Sequence, residues 1–115
     1  MPEDLTQEER LVLSLIEDHA GKENAVTGEI IAQLALVSYN RVREIVSHLV
    51  NDHGKLIGSC GKGYYLIVDP DEVEEVYRSL RHRGLSILYR AGRIKKISVV
   101  EVFGQGELEG MKHER

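Results

Sequence analysis

The sequence predicts an α+β fold, mostly α: a three-helix core, a β-hairpin and a long C-terminal helix. Three observations predict it. Apolar residues recur at helical spacing in three successive segments before residue 54. Two short β-like runs then flank Gly61-Lys62-Gly63. A run of heptad-spaced apolar and small residues follows from Val73 to Ile94.

Residues 6–19 read as the first helix. Leu11, Val12, Leu15 and Ile16 fall on one face, and Thr6 with Glu9 forms a capping-box pattern. Gly21 marks its end, and residues 21–25 read as a loop. Thr27 is a good N-cap for the second helix, with Glu29 in the first turn, where the dipole favours negative charge. Ile30, Ile31, Leu34 and Ala35 are its expected buried stripe, and the helix is expected to end near Leu36.

Ser38 is the expected N-cap of the third helix, 39–52. Val42, Ile45, Val46, Leu49 and Val50 follow the rhythm of one helical stripe. Its other face carries Tyr39, Asn40, Arg43, Glu44 and Ser47, with Arg41 and His48 at the borders. Gly54 ends it. Residues 55–60 and 64–68 are the hairpin strands. Asp69-Pro70-Asp71 breaks the second strand and caps the fourth helix, about 71–96. Residues 97–103 look strand-like, and the Gly-containing tail after Phe103 is expected to be poorly ordered. The chain thus divides into a folded domain over 1–69, a long helix over 70–97, and a short strand-like segment with a flexible tail over 98–115.

Composition narrows the function classes. At 115 residues with 42% hydrophobic content, the chain can bury one compact core. No apolar stretch is long enough to span a membrane. The acidic start, Met1-Pro2-Glu3-Asp4, has no apolar signal region. Cys60 is the only cysteine and cannot form an internal disulfide, so the reducing cytoplasm is the expected location. No phosphate loop or Ser-His or Cys-His arrangement is recognisable, and Gly104-Gln105-Gly106 lacks a strand-turn-helix context. The five histidines show no metal-ligand spacing. No enzymatic activity, metal or cofactor is expected.

The net charge of -4 argues at first against nucleic acid, but the distribution matters more than the sum. Residues 1–37 carry eight acids and two bases, and residues 69–75 carry five acids. Residues 38–63 carry four bases and two acids, and residues 78–96 carry seven bases and no acid. Two basic segments are hidden in an acidic total.

The order helix, helix, turn, helix, hairpin has a simple physical sense. The second helix braces the third, leaving the third's outer face free, and an α-helix fits the major groove of B-DNA. The hairpin tip, Lys62 between two glycines, can reach the flanking backbone. Residues 27–66, TGEIIAQLALVSYNRVREIVSHLVNDHGKLIGSCGKGYYL, resemble the winged helix domains at the N-terminus of biotin operon repressors. They look still more like small winged-helix proteins of phages and prophages of Gram-positive bacteria. Ser38-Tyr39 with Val42-Arg43, and Gly61-Lys62-Gly63-Tyr64-Tyr65, carry the likeness, which covers about residues 6–96. It implies a winged helix-turn-helix fold and double-stranded DNA binding, in transcription control or in replication of a mobile element. The likeness does not extend to a biotin ligase domain, so ligase activity is not expected. Such domains usually have Gly in the helix-turn-helix turn, where this chain has Leu36. Leu does not adopt positive φ cheaply, so a different turn is expected.

The candidate DNA-binding residues are Ser38, Tyr39, Asn40, Arg41, Arg43, Ser47 and Lys62. Five of them also have a structural reading. Arg41, Arg43 and Lys62 fit a solvated surface, Asn40 a plain first-turn residue, and Tyr39 a ring packed over the turn. One of Tyr64 and Tyr65 is expected to close the core. In the fourth helix, Val73, Tyr77, Leu80, Gly84, Ile87, Ala91 and Ile94 repeat at heptad spacing, a seam for a homodimer. The competing reading packs this stripe on the chain's own domain. The bases of residues 78–96 fit either a second nucleic-acid surface or a solubilised helix. The alternatives to duplex binding are a winged-helix module for protein docking, and a binder of single strands or RNA through the basic helix.

Overall fold

The computed structural model describes residues 4–104, and the fold is α+β, mostly α. The expectation for the tail beyond Gly104 falls outside the described residues. Up to Lys95, four helices and one hairpin succeed one another: α1 (Gln7–Glu17), α2 (Gly28–Ala35), α3 (Tyr39–His53), β1 (Ile57–Cys60), β2 (Gly63–Leu66) and α4 (Pro70–Lys95). A 3-10 turn, Lys22–Asn24, lies between α1 and α2. The chain forms two compact units, which divide after Val76.

In the first unit each helix starts where its cap dictates. Thr6 Oγ1 accepts from the Glu9 N–H at 3.1 Å, and Glu9 Oε1 accepts from the Thr6 N–H at 2.9 Å, closing the capping box of α1. Thr27 and Ser38 cap α2 and α3 through the N–H groups of Ile30 and Arg41. α3 ends at Gly54 in the left-handed conformation.

The turn between α2 and α3 departs from expectation. Leu36 takes the left-handed conformation itself, at φ 58° and ψ 44°, and its N–H bonds to the Ala32 carbonyl. The turn thus keeps the backbone that glycine favours. The Leu36 side chain, 90% exposed, has nothing to clash with beyond its own backbone.

The core is built from one stripe of each helix. Val12, Leu13 and Ile16 of α1, Ile31 and Ala35 of α2, and Val42, Ile45, Val46 and Leu49 of α3 are buried together with Val26 and Ile57. Each large aliphatic contributes roughly 1.5–3 kcal/mol by leaving water. The stripe of α2 is narrower than predicted, because Ile30 and Leu34 are exposed (46% and 60%). Leu11 is likewise exposed, and Leu13 takes its place in the core. A short helix with an exposed flank needs only Ile31 and Ala35 inside.

The strands pair antiparallel, Ile57 with Leu66 and Cys60 with Gly63, so that Gly61 and Lys62 form the tip. The loop after α1 closes on the far edge of β2. Val26 and Tyr64 exchange both backbone hydrogen bonds at 2.8 Å, and Leu66 donates to the His19 carbonyl at 2.9 Å. Gly63 makes this approach possible: a Cβ there would lie 2.1 Å from the Val26 carbonyl oxygen. Tyr64 is the tyrosine that packs against the helical core, while Tyr65, its neighbour on the other face of the strand, is 1% exposed with its ring over Gly58.

α4 opens on Asp69, whose Oδ1 accepts from the Asp71 N–H, with Pro70 as first helical residue. The second unit contains α4 from Tyr77 onward. At its end Lys96 is left-handed (φ 65°) and Ile97 N–H bonds to the Gly92 carbonyl at 2.9 Å. Residues 99–104 are helical, which corrects the strand expected over 97–103. The reason is a second capping box: Ser98 Oγ accepts from the Glu101 N–H, and Glu101 Oε1 accepts from the Ser98 N–H. This outweighs the β preference of Val99, Val100 and Val102.

Candidate nucleic-acid interface

Burying Val42, Ile45, Val46 and Leu49 turns the opposite side of α3 to the surface. Asn40, Arg43 and Ser47, spaced by three and four residues, share that side and are exposed. Glu44, His48, Asn51 and Asp52 line the same surface. It is therefore a mixed strip, with Arg43 as its arginine. Asn51 Nδ2 donates to Ser47 Oγ at 3.1 Å, which fixes both side chains one turn apart.

Arg41 is oriented otherwise. Its Nε and Nη2 both lie 2.9 Å from Glu8 Oε1, and its Nη1 lies 3.2 Å from Glu44 Oε1. Glu8 first, then Glu44, raises the guanidinium pKa further. The side chain links α3 to α1, and its charge is matched within the fold. Ser38 is committed as the N-cap of α3.

Tyr39 packs on the start of α2. A Cβ on Gly28 would lie 2.6 Å from Tyr39 Cε1 and 3.4 Å from Tyr64 Cε2, so both rings cover that glycine. Burial, then the neighbouring Tyr39, pushes the Tyr64 phenol up in pKa, while the nearby Arg43 pulls it down. Arg43 thus stands beside the two tyrosines, where α2, α3 and β2 meet.

Lys62 is exposed at the hairpin tip and lines a separate depression with Lys22, Glu23, Asp69 and Glu72. That surroundings is acidic on balance. Glu72 is held below the ordinary carboxylate range by the N–H groups of Lys22 (2.9 Å) and Val68 (3.1 Å). Lys22 pairs with Glu75 at 2.7 Å. The structure brings Asn40, Arg43 and Ser47 onto one strip, while Arg41 and Lys62 belong to other surroundings.

Four residues of the strip, Glu44, His48, Asn51 and Asp52, are not among the candidate site residues. His48 stands between carboxylates, with Nε2 3.0 Å from Asp52 Oδ2 and Nδ1 2.5 Å from Glu9 Oε2. The second contact is close but lacks hydrogen-bond direction. The i, i+4 spacing of His48 and Asp52 was visible in the sequence; the approach of Glu9 from α1 was not. Among the described residues no group of three or more His, Cys, Asp or Glu is placed to hold a metal ion, and no helix is long and apolar enough to cross a membrane.

The seam residues lie along α4. Tyr77, Leu80, Ile87 and Ile94 are 51–78% exposed, Val73 is 42% exposed, and a Cβ on Gly84 would meet nothing. Comparison with protein-family models, curated proteins and solved structures gives no match.

Proposed function

We propose that this chain is a winged helix-turn-helix protein that binds double-stranded DNA, with α3 in the major groove and the β1–β2 hairpin as the wing. The observation that carries this reading is the exposed strip of Asn40, Arg43 and Ser47 on a helix anchored by its other face. Arg and Asn are the side chains best matched to guanine and adenine edges. Arg43 stays within reach of base edges, whereas Arg41 is occupied by Glu8 and Glu44. Lys62 supplies a phosphate contact from the wing. A role in transcription control or in replication of a mobile element follows from the sequence resemblance, and a cytoplasmic location from the single cysteine, Cys60.

Fluorescence anisotropy with random and selected duplexes tests it. Binding at low salt should weaken as salt rises, each phosphate contact adding about -0.9 to the log-log slope. With few unmatched cations on the face, the slope should be shallow. No duplex binding at low salt rejects the proposal.

A second reading has one observation in its favour. Ile30, Leu34 and Leu36 are exposed on α2 and its turn, and duplex binding gives them no task. A protein-docking module would use such a surface and would not need Arg43 or Lys62.

A further inference from the structure

We infer that α4 pairs with α4 of a second copy of this chain, antiparallel, in one defined register. The inference stands independently of DNA binding. α4 runs unbroken from Pro70 to Lys95 and carries a heptad stripe whose large members are exposed. Soluble chains seldom leave such a stripe in water. One position of the repeat holds Leu80, Ile87 and Ile94; the other holds Tyr77, Gly84 and Ala91. In a parallel pair each position meets itself, so Gly84 would face Gly84 and Ala91 would face Ala91, leaving voids. In an antiparallel pair the two positions meet each other. A single register then sets Gly84 against Ile87, Ala91 against Leu80, and Tyr77 against Ile94 of the second copy. Both small residues thereby receive a large aliphatic.

Charge at the two ends of the helix favours the same orientation. Acids crowd the start of α4, Asp71 to Glu75, and seven bases occupy residues 78–96. A parallel pair lays those bases alongside each other. The antiparallel register brings Glu74, exposed on α4, to Lys95 of the second copy. It still sets Arg78 level with Arg93, and Arg81 and Arg83 near Arg90, of the second copy, as flanking charges that water screens.

Two measurements on the full chain test this. In sedimentation equilibrium the wild type should be dimeric at tens of micromolar, and Leu80→Asp with Ile87→Asp should be monomeric. In a Cys60→Ser background, Leu80→Cys and Ala91→Cys chains should cross-link to each other when mixed and oxidised. Neither should cross-link to itself, because like positions lie roughly 16 Å apart along the axis, beyond the 4.4–6.8 Å that a disulfide spans between Cα atoms. A monomeric wild type overturns the inference, as does an Asp double variant that dimerises normally. Self-linking of Leu80→Cys overturns the antiparallel register.

Discussion

The ring of Tyr39, first residue of α3, lies on Gly28, first residue of α2, closely enough that a Cβ on Gly28 would stand 2.6 Å from Tyr39 Cε1. The start of α2 thus lies under a ring seated on a bare backbone. Gly28→Ala should push the ring away and cost about 1–3 kcal/mol, as overpacking does. Urea unfolding measures it. Tyr39→Phe keeps the ring and should leave stability within about 0.5 kcal/mol. If Tyr39→Phe nevertheless weakens duplex binding, the hydroxyl touches phosphate as well.

Gly63 is the second position where a side chain does not fit. At φ 120°, and with a Cβ 2.1 Å from the Val26 carbonyl oxygen, it lets β2 pair with the α1–α2 loop. Gly63→Ala should separate Tyr64 from Val26 and cost more than about 1–3 kcal/mol, the range for backbone strain alone. Hydrogen exchange at the Val26 and Tyr64 amides should accelerate. Unchanged exchange there would show that the loop does not depend on Gly63.

Leu36 gives the opposite sign. It is left-handed and 90% exposed, so glycine would relieve backbone strain at the loss of few contacts. The left-handed conformation costs a non-glycine residue roughly 1–2 kcal/mol, and the extra freedom of glycine in the unfolded chain returns part of that. Leu36→Gly should stabilise by about 0.5–1 kcal/mol, the net of those two terms. A destabilised Leu36→Gly would mean that the leucine packs on something, which is what the docking reading requires.

Local chemistry made much of this fold legible. Thr6 with Glu9, Thr27, Ser38 and Gly54 marked helix ends because caps act within a few residues. Over 97–103 the three valines suggest a strand, but Ser98 and Glu101, whose box is just as local, start a helix. Other features were not in any window. Arg41 reads as a DNA contact within its own helix, but its partner Glu8, 2.9 Å away, comes from another helix. Ile30 and Leu34 looked buried because periodicity gives a face but not how wide the neighbouring helices make the core. Asn40, Arg43 and Ser47 were readable as one strip because the buried stripe of α3 fixes where its other face points.

Glu9 should make the first unit acid-sensitive. Its carboxylate is held below the ordinary range by the Thr6 N–H, against burial that raises it, with His48 adding attraction. A depressed folded pKa stabilises above the unfolded value, about 4.3 for Glu. That stability is lost as pH falls through the lower, folded pKa. Glu72, depressed by the Lys22 and Val68 N–H groups, acts with the same sign. Glu9→Ala should cost about 1–3 kcal/mol at pH 7 and flatten the acid limb of a stability-against-pH curve. Parallel acid limbs in wild type and variant would assign the sensitivity elsewhere.

The three cations first read as DNA contacts should separate into three behaviours. Arg43, on the exposed strip, has no ion-pair partner among the described residues. Arg43→Ala should cost about 1–3 kcal/mol on a selected duplex and much less on random sequence, as loss of a base contact does. Lys62→Ala should weaken both duplexes alike and make the salt slope shallower by about one contact. Arg41→Ala removes a side chain already matched by Glu8 and Glu44, so its effect on binding should be small and should appear in urea unfolding instead. The pair with Glu8 is half-exposed, so that loss should stay within about 1 kcal/mol. A double-mutant cycle of Arg41→Ala with Glu8→Ala separates the roles. If Glu8→Ala strengthens duplex binding and Arg41→Ala cancels the gain, Glu8 withholds Arg41 from DNA. If the two variants add independently in binding, Arg41 serves only to join α3 to α1.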